Sequence, residues 1–114
     1  MIVTERKTDV FNQRSGGKGA TIMEHIVDEK LYGGKIITYA RVVLKPGCSL
    51  GLHKHEGTSE TMYVLQGTGL YNYNGKESTL HTGDVTFCPE GKSHSIENIG
   101  DDDLLVMALI VNEK

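Results

Sequence analysis

Four side chains of metal-ligand type fall into two short stretches of this chain. His53 and His55 stand two residues apart after the turn dipeptide Pro46-Gly47. On an extended strand that spacing points both imidazoles to one face, roughly 7 Å apart along the chain. A polar break follows, Glu56-Gly57-Thr58-Ser59, and Glu60 then opens an apolar segment (Met62, Tyr63, Val64, Leu65) that ends at Gly67. A hairpin at Gly57 predicts Glu60 on the strand beside the histidines, gathering two neutral nitrogens and one carboxylate oxygen around one point. Borderline divalent metals favour such donors. A third imidazole is available at His94, after the strand-like run Val85–Cys88 and the turn Pro89-Glu90-Gly91.

Short strands are the elements that must position these groups. Residues 21–27 and 35–44 are rich in β-branched and aromatic side chains and are separated by Tyr32-Gly33-Gly34, so they read as two strands and a turn. Residues 70–73 run into Asn74-Gly75, the strongest short hairpin signal, and return around residues 78–81 before a turn at Thr82-Gly83. Asp101-Asp102-Asp103 reads as a solvated turn before a last strand at 104–111, since the ligand spacing of a calcium loop is absent. Residues 1–20, with the run Arg14-Ser15-Gly16-Gly17-Lys18-Gly19, read as a flexible segment. Many short strands between turn glycines, without helical periodicity, predict an all-β sandwich or barrel.

The 114 residues are one domain's worth of chain, enough to bury roughly two-thirds of the unfolded surface without crosslinks. A net charge of −3 and a pI near 5.9 give no broad attraction to nucleic acid or to an anionic membrane. The start MIVTERKTDV has charges where a secretion signal needs an apolar run, and no stretch approaches the roughly 20 apolar residues of a membrane span. A cytoplasmic protein with Cys48 and Cys88 as free thiols is the expectation.

Both ligand stretches fit longer patterns without a substitution. The first is G-x5-H-x-H-x4-E-x6-G from Gly47 to Gly67, and the second is G-x5-P-x-G-x2-H-x3-N from Gly83 to Asn98. Together they resemble the paired motifs of the cupin superfamily, and the chain looks like a small single-domain cupin of the type-2 kind. That resemblance implies a double-stranded β-helix, a jelly-roll barrel over residues 21–114 with a metal site in its mouth. His53, His55, Glu60 and His94 are then the ligands. Glu56 lies in the break and outside the motif spacing. Asn98 reads as a loop-bonding structural residue, and His25 and His81 as surface or core-edge residues.

One divalent transition metal is expected: manganese, iron, nickel, zinc, cobalt or copper. Three neutral imidazoles and one carboxylate leave such an ion near +1, with two adjacent octahedral positions open to water, dioxygen or a chelating small molecule. The resemblance implies dioxygenase, decarboxylase, lyase or isomerase chemistry on a small organic acid, carbonyl compound or sugar, or alternatively a metal-containing binding or sensing module without turnover. Leu50 stands where cupin oxalate decarboxylases carry an arginine, which argues against that activity. Met62 stands where sulfoniopropionate lyases carry a tyrosine. Tyr71 and Tyr73, alternate residues facing inward, are candidates for contacting a small ligand, with Met62 as the next. Exposed sheet faces and edges, with the habit of related small cupins, imply a homodimer.

Overall fold

Side-chain alternation organises the ten strands that residues 1–114 form in the computed structural model: β1 (Thr8–Asn12), β2 (Ala20–His25), β3 (Ile36–Leu44), β4 (Ser49–Lys54), β5 (Thr58–Gln66), β6 (Gly69–Tyr73), β7 (Lys76–Leu80), β8 (Val85–Cys88), β9 (Ser93–Asn98) and β10 (Leu104–Asn112). In β3, Ala40, Val42 and Leu44 are buried while Tyr39 and Arg41 are exposed; in β10, Leu104, Val106 and Ala108 are buried. A period of two sends these residues to one face. Val42, Leu44, Leu104, Val106 and Ala108 meet Met62, Val64, Tyr71, Leu80 and Ile96 from the other strands in one core.

All pairings are antiparallel. One sheet has six strands in the order β1-β2-β3-β10-β5-β8, the other four in the order β4-β9-β6-β7. Two such sheets closed face to face are the expected double-stranded β-helix. The Asn-Gly turn between β6 and β7 has positive φ at both residues, 52° and 96°, the hairpin turn whose twist matches that of the strands. The free thiols are as expected, with Cys88 fully buried. No helix is long and apolar enough to cross a membrane.

Two expectations are corrected. Gly57 does not close a hairpin: β4 and β5 belong to different sheets, so the turn carries the chain across the sandwich and Glu60 meets the histidines from the opposite wall. A turn signal fixes where the chain bends but not which strand it pairs with next. Within residues 1–20, expected as a flexible segment, a strand and a 3-10 turn form between Thr8 and Gly16. β1 pairs with β2 from Thr8↔Glu24 to Asn12↔Ala20, and the Nε2 of His25 lies 2.9 Å from the Oδ2 of Asp9. The His25 hydrogen bond, opposed by desolvation and aided by the charge of Lys7, holds the Asp9 carboxyl below its usual value. A short 3-10 turn at Arg14–Gly16 then packs on β4. The five residues of β1 are too few to signal a strand alone; β2 supplies the ladder. His81 is exposed beside Asp84.

Asn98 is structural, as its position suggested. Its Nδ2 donates to the carbonyls of Leu44 and Asp102, each at 2.8 Å, and its Oδ1 accepts from the amide of Gly100 at 2.9 Å. It is 1% exposed, so no water replaces those bonds. Asn98→Ala should lower unfolding stability by about 1–3 kcal/mol in urea titration. A change within about 0.5 kcal/mol, typical of surface substitutions, would contradict this role.

Candidate metal centre

The four expected ligands converge. His53 on β4 is the cross-strand partner of His94 on β9, while His55 follows the end of β4 and Glu60 projects from β5. One donor atom from each lies within 4.8 Å of all the others. The Nε2 atoms of His55 and His94 are 2.9 Å apart, and the Oε1 of Glu60 lies 3.1 Å from the first and 2.9 Å from the second. His53 Nε2 is 3.9 Å from the same oxygen. Adjacent ligands on an ion with bonds of about 2.1 Å are about 3 Å apart, so the set fits one ion. Three of the four residues are buried and His53 is half-buried.

The remaining ring nitrogens support that fit. The Nδ1 of His53 is 2.8 Å from the carbonyl oxygen of Gly51. A carbonyl can only accept, so His53 carries its proton on Nδ1 and turns the Nε2 lone pair inward. His55 Nδ1 lies 3.0 Å from the Thr58 hydroxyl, and His94 Nδ1 lies 2.7 Å from the Tyr71 hydroxyl. These hydroxyls can accept Nδ1 protons in the same way, and in that tautomer three nitrogen lone pairs and a carboxylate oxygen face one point, an arrangement that a cation relieves.

The local electrostatics follow from burial and this crowding. Burial opposes ionisation of Glu60, but the imidazoles of His53, His55 and His94 outweigh it and hold the carboxyl far below the ordinary range. Burial pushes the His94 pKa down against the pull of Glu60. At His53 burial acts the same way, yet Glu60 and the Gly51 carbonyl outweigh it and raise the value, with a small opposing effect from the charge of Arg14. Burial lifts Tyr71 to about 12, so its phenol is neutral at physiological pH.

A cavity of about 260 Å³ opens on the cluster. Its wall includes His53, His55 and Glu60 with Leu50, Met62, Ile96 and Val106, and also Arg14 and Thr21 from the N-terminal region. Of the three candidate ligand-contacting residues, Met62 lines this cavity. Tyr71 and Tyr73 do face inward but do not line it: Tyr71 is a core residue whose hydroxyl is spent on His94, and Tyr73 packs against the same core. Alternation along β6 turns both phenols to the core side, and the neighbouring strand β9 supplies the atom that the Tyr71 hydroxyl meets. Arg14 had no sequence signal beyond a charge in a glycine-rich run.

Known proteins are similar to this chain in sequence and in fold. The family described as the cupin domain matches residues 40–111. An oxalate-binding protein from Thermotoga maritima is 46% identical over 102 residues, covering 90% of this chain and 84% of its own. The crystal structure of a predicted oxalate decarboxylase from Thermotoga maritima superimposes with a TM-score of 0.91 at 41% identity, covering 98% of this chain and 99% of that one. KdgF from Halomonas sp. shares the fold alone, with a TM-score of 0.67 at 19% identity over 93% of this chain and 87% of its own. With the family match spanning both motifs, and the strands and the three-histidine, one-glutamate cluster in place, this chain belongs to the cupin domain family.

Proposed function

We propose that this protein holds one divalent transition metal on His53, His55, Glu60 and His94, and that its function is the metal-dependent binding of a small organic dicarboxylate of the oxalate type. The convergence of three imidazole nitrogens and one carboxylate oxygen on the wall of a small cavity carries the reading. At about 260 Å³ the cavity falls below the range for drug-sized ligands, which selects a small one. A bound divalent ion supplies Lewis acidity and open positions for two ligand oxygens. Similarity to an oxalate-binding protein favours a two-carbon dianion.

Binding is preferred to turnover because the cavity wall offers no free acid or base. Apart from the cluster itself, its only ionisable side chain is Arg14. The second reading is an enzyme acting on the same class of acid, favoured by the complete four-residue cluster. Incubating metal-loaded protein with oxalate separates the two: stoichiometric binding without formate or carbon dioxide fits the first, and multiple turnovers fit the second.

Metal should raise the melting temperature, by an amount equivalent to about 2.7 kcal/mol when free metal is 100-fold above its dissociation constant. The double variant His53→Ala/His94→Ala should lose both metal and the shift; stoichiometric metal in it would refute the assignment. Affinity should weaken on the acid side, between about pH 8 and about pH 5, because imidazoles coordinate only when neutral. His53, raised above 6.5, makes proton competition begin early.

Tyr71→Phe should keep the fold and weaken metal binding about 10- to 100-fold, since it removes the group that fixes the His94 ring. Unchanged affinity in competition with a chelator would make Tyr71 a packing residue only.

A homodimer fits the outer face of the six-stranded sheet, where Val10, Tyr39, Tyr63, Leu65, Val85 and Phe87 are exposed. Light scattering should give about twice the 12.5 kDa chain mass; the monomer mass at micromolar concentration would exclude the dimer.

A further inference from the structure

Arg14 lines the metal cavity from a part of the chain that belongs to neither histidine motif. Its guanidinium lies 3.9 Å over the ring of Phe11, and one of its nitrogens is 3.8 Å from the sulfur of Met23. It forms no ion pair with any carboxylate, although Arg41, Lys18 and Lys45 each do. The ring of Phe11 and one N–H bond to the Met23 sulfur orient the group, while its other donors meet no protein acceptor. Arg14 and Met23 also line a separate outer groove of about 650 Å³, so they stand where that groove meets the inner cavity.

The backbone around Arg14 is held with unusual closeness. Gln13 and Ser15, on either side of it, adopt left-handed conformations at φ 52° and 55°, which cost energy in residues other than glycine and persist only where the surroundings impose them. Two glycines impose them here. A Cβ on Gly17 would stand 2.1 Å from the carbonyl oxygen of Ser49, and one on Gly51 would stand 2.0 Å from that of Ser15. The turn is therefore pressed directly on the backbone of β4, two residues from His53. One further wall residue points to a polar occupant. Thr21 is fully buried, and its hydroxyl has no hydrogen-bond partner in the protein. Native cores rarely leave such a group unsatisfied.

We propose that Arg14 is the anion-recognition residue of this cavity, its guanidinium engaging a carboxylate of a small organic dianion whose remaining oxygens face the His53, His55, Glu60 and His94 cluster. The assignment rests on the dicarboxylate reading of the site and adds the group that makes the site selective for charge. A guanidinium fork matches a carboxylate with two parallel hydrogen bonds, which an ammonium does not reproduce. The N-terminal segment thereby becomes part of the binding site.

The test compares manganese-loaded wild type, Arg14→Gln, Arg14→Lys and Gly17→Ala by metal analysis and by calorimetric titration with oxalate and with its neutral diamide, oxamide. Arg14→Gln should keep the wild-type metal content and bind oxalate about 10- to 100-fold more weakly, the loss of one charged hydrogen-bonding partner, with a much smaller change for oxamide. Arg14→Lys should fall between the two. Gly17→Ala, which drives a methyl group into β4, should keep metal and lose oxalate affinity as Arg14→Gln does. Oxalate binding by Arg14→Gln within twofold of wild type overturns the assignment and leaves the dicarboxylate reading standing. Loss of metal from Arg14→Gln also overturns it, because the residue then supports the cluster instead of contacting the ligand. A wild type that holds manganese but binds no oxalate at millimolar concentration removes the dicarboxylate reading, and this assignment with it.

Discussion

A carboxylate buried between the two sheets sets the terms for the rest of the molecule. Glu60 comes from the six-stranded sheet, is 4% exposed, and finds its partners on imidazoles from the four-stranded sheet and the loop after it. A charge in such surroundings is strongly disfavoured unless compensated, so the two walls must stay in the spacing that keeps His55 and His94 within reach. The apolar core beneath, built from Val64, Leu104, Val106 and Ile96, supplies that spacing by packing. Each half depends on the other. The core fixes the distance, and the cluster uses it.

The division of labour around each imidazole follows the same logic. One nitrogen faces the cluster and the other is tied to a group outside it: a backbone carbonyl for His53, and hydroxyls for His55 and His94. Those outer contacts come from three unrelated places, the backbone at Gly51, the first residue of β5, Thr58, and the core residue Tyr71. Ring orientation is therefore shared between β4, β5 and β6, and a ligand set that looks local in sequence is held by much of the barrel. The N-terminal turn adds a fourth contribution, since its contact with β4 at Gly17 and Gly51 sets the cavity wall beside His53.

Much of this was legible in the residues themselves. Runs rich in β-branched and aromatic residues marked β2 and β3, strand-like runs marked β8 and β10, Asn74-Gly75 marked the hairpin of β6 and β7, and the paired motifs named the four members of the cluster. These features depend on neighbours within a few positions, where side-chain period and turn chemistry act directly. Asn98 was legible in part for the same reason, because an asparagine where β9 ends has the backbone groups of Gly100 and Asp102 close at hand.

Pairing across long separations was decided only by the folded chain. Nothing in residues 53–60 says that Gly57 leads to the opposite sheet, because a turn has the same local chemistry whether it joins partners or crosses a sandwich. Residues 8–12 become a strand only when β2 offers a ladder, and the Tyr71 hydroxyl gains its role only when β6 lies beside β9. Arg14 is the clearest instance: in sequence it is one cation in a glycine-rich run, and it lies on the cavity wall because two glycines 34 positions apart let their backbones touch. The sequence by itself determined which residues could hold a metal and which segments could be strands. Tertiary structure decided which of the other side chains share the cavity with them, because those contacts join segments whose separation along the chain carries no local signal.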